Sequence, residues 1–120
     1  MSKSEQQLYD ENLEWYEKLV ETNSKIDRKG ATMPYTSLNG HMFSYFSKDG
    51  FMNLRLPKEE CDNFIKKYKT NFCRVYGVIQ KEYVVVPDKL LKNTQELKKY
   101  FDLSYAYVAS LKPKPSKKKS

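Results

Sequence analysis

Apolar positions recur at two spacings along this chain, and the changes of spacing mark where the backbone changes state. Near the start, Leu8, Trp15, Tyr16, Leu19 and Val20 fall close to the i, i+3, i+4 register of a single helix face. Ser4 followed by Gln7 makes a capping box, and Glu5, Asp10 and Glu11 place negative charge toward the positive end of the helix dipole. The pattern fades near Asn23, before the basic loop SKIDRKG of residues 24–30.

From residue 33 the period drops to two. Asn39-Gly40 between strand-forming residues predicts a hairpin, because a type I′ turn needs φ > 0 at both central positions. Tyr35–Leu38 therefore pairs with His41–Phe46, and Pro34 stands where a missing N–H is tolerated. SKDG at 47–50 supplies a second turn, and residues 51–56 a third strand. In that strand Met52, Leu54 and Leu56 share one face, and Phe51, Asn53 and Arg55 the other.

Pro57 opens a second helix, with Cys61, Phe64, Ile65 and Tyr68 on its inner side. FCRVYGVIQ and KEYVVVP both read as strand, with Gly77 and the Gln80-Lys81 region as interruptions. The unbroken β-formers at 83–86 suggest a strand covered on both faces or central in its sheet. Pro87 ends it, and Asp88 is positioned to cap a short helical turn through Leu91. Asn93 with Glu96 begins a long final helix. Its stripe runs Leu97, Tyr100, Phe101, Ser104, Tyr105, Val108 and Leu111, and Pro113 and Pro115 stop it.

The predicted order is helix, three-stranded antiparallel meander, helix, two strands, long C-terminal helix. That is an α+β fold, with one domain over 1–111. A length of 120 residues is enough to bury a core, and the 14% aromatic content offsets a modest 39% hydrophobic content. The formal charge of +7 concentrates at the end, because residues 112–120 hold five lysines and no acid. The remainder carries 17 basic and 15 acidic residues, so the body is nearly balanced and the basicity is a tail. We expect that tail to be disordered and to offer Lys112, Lys114, Lys117, Lys118 and Lys119 for weak, salt-sensitive contact with a polyanion such as nucleic acid.

No apolar run approaches the ~18 residues that cross a membrane, so no membrane partner is expected. The polar first eighteen residues lack the apolar core of a secretory signal. The expected compartment is the cytoplasm, with Cys61 and Cys73 as reduced thiols.

The sequence offers little catalytic chemistry. One histidine and two separated cysteines fall short of a four-ligand zinc set. The four glycines stand singly and form no phosphate cradle, and Glu59-Glu60 suits a helix N-terminus. No cofactor is expected. Cys61 and Cys73 read as packing thiols, and His41 as a strand-edge or surface residue. A small-ligand site or enzyme of unknown chemistry would need His41, Arg55 and a cysteine to converge on a concave site.

Three ordered motifs carry a family resemblance. MPYTSLNGHMFSYF with GFMNLRLPKEE, KEYVVVPDKLL, and the closing SYAYVASLKPKP resemble the N-terminal-domain family of TfoX, the Sxy-type bacterial competence regulators. The likeness covers roughly residues 10 to 115 and is nearest to single-domain members without the C-terminal domain. Where the family starts its first strand with Met-Phe-Gly, this chain has Met33-Pro34-Tyr35. The resemblance implies an α+β fold similar to the secretion-chaperone-like group, no established catalytic residues, no cofactor and a link to transcription regulation. The expectation is a non-enzymatic protein-interaction domain with a regulatory role. Its candidate surface is the sheet face of His41, Phe43, Tyr45, Phe51, Asn53 and Arg55, which would serve an unidentified protein partner or a second copy.

Overall fold

Ser4 and Gln7 close the capping box that starts α1 (Glu5–Glu21): the Gln7 amide donates to Ser4 Oγ at 3.1 Å, and the Ser4 amide to Gln7 Oε1 at 2.9 Å. The computed structural model describes residues 4–30 and 33–112. After α1 come β1 (Tyr35–Leu38), β2 (His41–Phe46), β3 (Met52–Arg55), α2 (Lys58–Tyr68), β4 (Phe72–Val75), β5 (Val78–Val86), α3 (Asp88–Leu91) and α4 (Thr94–Ala109). The fold is α+β, with one antiparallel sheet in the order β1-β2-β3-β5-β4.

Rows of cross-strand partners sort the sheet into two faces. Phe46, Met52 and Val86 form one buried row, and Ser44, Leu54 and Val84 a second. The helices pack on these rows. Tyr9 and Tyr16 of α1 meet Phe46, while Phe101 and Tyr105 of α4 meet Phe43. Phe64 and Tyr68 of α2 stack edge-on against Tyr100 of α4, and Leu90 and Leu91 of α3 join the same core. The row Tyr45, Asn53, Val85 lies on the opposite face.

A chain of three hydroxyls is sealed into the covered face. Tyr16 Oη lies 2.8 Å from Ser44 Oγ, which lies 2.5 Å from Thr36 Oγ1. All three residues are fully buried, and burial holds the Tyr16 phenol well above its ordinary pKa.

Both two-residue hairpins have the backbone the sequence requires. Asn39 and Gly40 sit at φ 54° and 83°, and Tyr76 and Gly77 at 51° and 78°. The break between the last two strands therefore falls at Tyr76-Gly77 alone. Gln80 and Lys81 lie inside β5, which runs on through them, but the pairing with β4 is interrupted there, jumping from Cys73↔Gln80 to Phe72↔Val84. β5 is an interior strand between β3 and β4, as its β-former run suggested.

Other local expectations shift. Leu8 is 44% exposed, and Asn12 takes the buried place on α1 by donating to the Gly50 carbonyl at 3.1 Å and to Asp88 Oδ1 at 3.2 Å. Asp88 is thus engaged with α1, and Pro87 holds the cap position of α3 with no side-chain bond. Asn93 does cap α4, accepting from the Glu96 amide at 3.3 Å. β3 is shorter than residues 51–56. Pro113 and Pro115, like Lys114, Lys117, Lys118 and Lys119, lie outside the described residues.

Candidate functional site: an uncovered sheet face and a projecting hairpin

The predicted sheet face is divided between the two sides of the sheet. β1 pairs with β2 through Thr36↔Ser44 and then Ser37↔Met42, leaving Phe43 as an extra residue. This bulge shifts the alternation by one, so Phe43 and Ser44 both reach the helix-covered side. Phe43 is fully buried, its ring 5.6 Å from that of Phe101. His41 is not a surface residue. It is buried, and its Nε2–H donates to the Lys112 carbonyl at 2.7 Å. That bond fixes the tautomer and leaves Nδ1 buried with no hydrogen-bond partner among the described residues.

Arg55 is also committed. Its guanidinium lies 2.6 Å from Glu82 Oε1 and stands 5.5 Å from the Tyr107 ring centroid. Tyr45, Phe51 and Asn53 remain from the predicted set and line one trough on the other side, Tyr45 and Asn53 buried in its floor and Phe51 exposed. Of the tail lysines, the described Lys112 is exposed.

His41, Arg55 and the two cysteines are each bonded to a different group, and no hydrogen bond or ion pair among the described residues joins one to another. Cys61, a free thiol, donates to the Leu56 carbonyl at 3.3 Å, and burial pushes its pKa up to about 11. Cys73, also free, lies 2.7 Å from the Tyr45 hydroxyl. Burial and then this sulfur raise the Tyr45 pKa. Tyr83, whose pKa burial also raises, donates to the Met42 carbonyl at 2.6 Å. Among the described residues, no group of three or more His, Cys, Asp or Glu could hold a metal ion, and no helix is long and apolar enough to cross a membrane.

The uncovered face is concave. A trough of about 430 Å³ runs over Met42, Tyr45 and Tyr83 and continues into one of about 410 Å³ beside Phe51, Asn53 and Cys73. Among the described residues, none from a helix lines either part. Lys48 and Arg74 border it, and neither makes an ion pair within the described residues. Beyond the trough stands the β4–β5 hairpin. Tyr76 is fully exposed at its tip, with Val78 at 61% and Ile79 at 47%. On its other side a groove of about 550 Å³ opens toward Lys58 and Asp62 of α2.

Sequence reasoning missed this hairpin as a site, although VYGVI carried the signal: apolar residues flanking a turn have no amphipathic face to bury. The two sheet edges also differ. Lys29 exchanges backbone hydrogen bonds with Tyr35 at 2.8 and 2.9 Å, covering the start of β1. Along β4, no backbone hydrogen bond other than those to β5 reaches residues 72–75 among the described residues. Comparison of the chain with protein-family models, with curated proteins and with solved structures gives no match in any of the three.

Proposed function

We propose that this protein is an interaction domain that binds a partner protein through the uncovered sheet face and the β4–β5 hairpin. The observation that supports this reading most is the run Val75, Tyr76, Val78 and Ile79, exposed together on one projecting turn. Isolated exposed apolar residues are ordinary, but a contiguous apolar tip beside a concave face has the composition of an interface. Aromatic residues dominate such interfaces energetically, and Tyr76 occupies the most prominent position on this one. A regulatory role of the kind carried by TfoX-type proteins is part of the proposal, and the three ordered sequence motifs support it.

Photo-crosslinking tests the surface. Benzoylphenylalanine replaces Tyr76 in one variant and exposed Asn63 of α2 in another, each irradiated in native lysate. Protein adducts from position 76 that are absent at position 63 and lost on adding Val78→Asp are expected. Equal adducts at both positions, or none at 76, would overturn the reading.

A further inference from the structure

The interaction surface has three features that together narrow its occupant. β4 is a sheet edge whose outward side receives no backbone hydrogen bond among the described residues, Arg74 O meeting only Cys73 Sγ at 3.9 Å, whereas Lys29 covers the start of the opposite edge. The trough next to β4 is apolar along its floor, with Tyr45, Tyr83 and Val85 contributing. Its bordering charges are Lys48, Arg74 and Asp49, a cationic excess of one.

Resting on the interaction-domain reading, we infer that β4 receives an extended acidic peptide segment of the partner as a sixth strand. Main-chain hydrogen bonds to an open edge give such complexes their affinity, and alternate side chains give them their selectivity. Here the set of alternate side chains facing the trough would combine apolar groups over its floor with acidic groups at its border, where they meet Lys48 and Arg74. Residues 74–81, RVYGVIQK, carry two cations and no acid, which extends the same preference along the hairpin.

Charge and shape disfavour other occupants. In a two-fold dimer the same patch meets itself, so the acid-free hairpin would confront its own Arg74 and Lys81. A nucleic-acid strand needs cations along its backbone and stacking faces. This surface offers exposed rings in Tyr76 and Phe51 but only two trough cations, with Asp49 beside them, and no run of positive charge to follow a backbone. A lipid headgroup layer is planar and cannot pair with a strand edge.

The test uses the full chain and three labelled peptides read by fluorescence anisotropy. One carries Val, Ile or Phe together with Glu or Asp on a single set of alternate positions, with Thr between them, a second has Lys for every acid, and a third is the acidic peptide N-methylated at alternate residues. The acidic peptide is expected to bind at least about tenfold more tightly than either of the others. Lys48→Glu with Arg74→Glu is expected to reverse the preference toward the lysine peptide.

Equal binding of the methylated peptide would overturn strand addition, and equal binding of the lysine peptide would overturn the charge assignment. Sedimentation with phosphatidylserine vesicles, or a dimer abolished by Val78→Asp, in the absence of peptide binding would also overturn it. In each of these cases hairpin-specific protein crosslinks from position 76 would leave the broader reading standing, whereas their loss would remove both.

Discussion

The two hairpins share a turn geometry and differ in nearly everything else. At the first, Asn39 adopts the left-handed backbone that its short polar side chain tolerates, and the strands beneath it are packed under α4. The neighbouring His41 is pinned to the chain just beyond that helix. At the second, a tyrosine is held at φ 51°, an unfavourable region for a bulky residue, with its ring in solvent. Strained backbone of this kind clusters at functional sites, in keeping with the interaction surface proposed above. One hairpin is built for the fold, and the other departs from what the fold alone would choose.

The sharpest way to break this contrast is to truncate an apolar side chain in each hairpin. Phe43→Ala is expected to lower stability by about 3–5 kcal/mol, since its ring is wholly enclosed against Phe101 and Tyr105. Val78→Ala should change it by less than about 0.5 kcal/mol. Urea unfolding curves decide the matter, and similar losses at the two positions would erase the distinction.

Exchanging the turn residues makes a finer test. Tyr76→Asn is expected to stabilise the protein by about 1 kcal/mol, because asparagine occupies the left-handed region at lower cost. Asn39→Tyr should destabilise it by a similar amount. A loss of stability in Tyr76→Asn would mean that the exposed ring supports the fold.

The cysteines extend the comparison to chemistry, with a pH dependence that enters only in alkali. Unfolded Cys61 ionises near its ordinary value of 9.0, while the folded thiol keeps its proton to about 11. Stability from this group is therefore complete below about pH 9 and is lost as pH rises toward 11. Thermal melts across that range should fall, and Cys61→Ala should flatten part of the slope. Cys73 borders the open trough, so native-state alkylation followed by peptide mapping should label it before Cys61. Labelling in the reverse order would place the more easily opened region under α2.

Most of the architecture was legible because its signals are local. The Ser4-Gln7 capping box, the Asn39-Gly40 turn and the stripe Leu97, Phe101, Ser104, Val108 each act over a few residues. The candidate face was only half legible. Strict alternation put His41 and Phe43 beside Tyr45, but one unpaired residue in β2 reverses the phase, and nothing in HMFSYF marks it. Alternation places Arg55 on the contact face, and its engagement is not legible because its partner Glu82 is 27 positions away. Asp88 was read as a cap for a similar reason, since Asn12 approaches it from a distant helix.

The linked hydroxyls of Tyr16, Ser44 and Thr36 have a consequence for folding fidelity. Sliding β1 along β2 by one position would turn Thr36 away from Ser44 and strand polar oxygens in a dry interior. Wrong alignments are thus penalised at the moment α1 docks, so the helix proofreads the sheet. A proteome-wide selection for mutants that misalign these strands should find them first at these three positions.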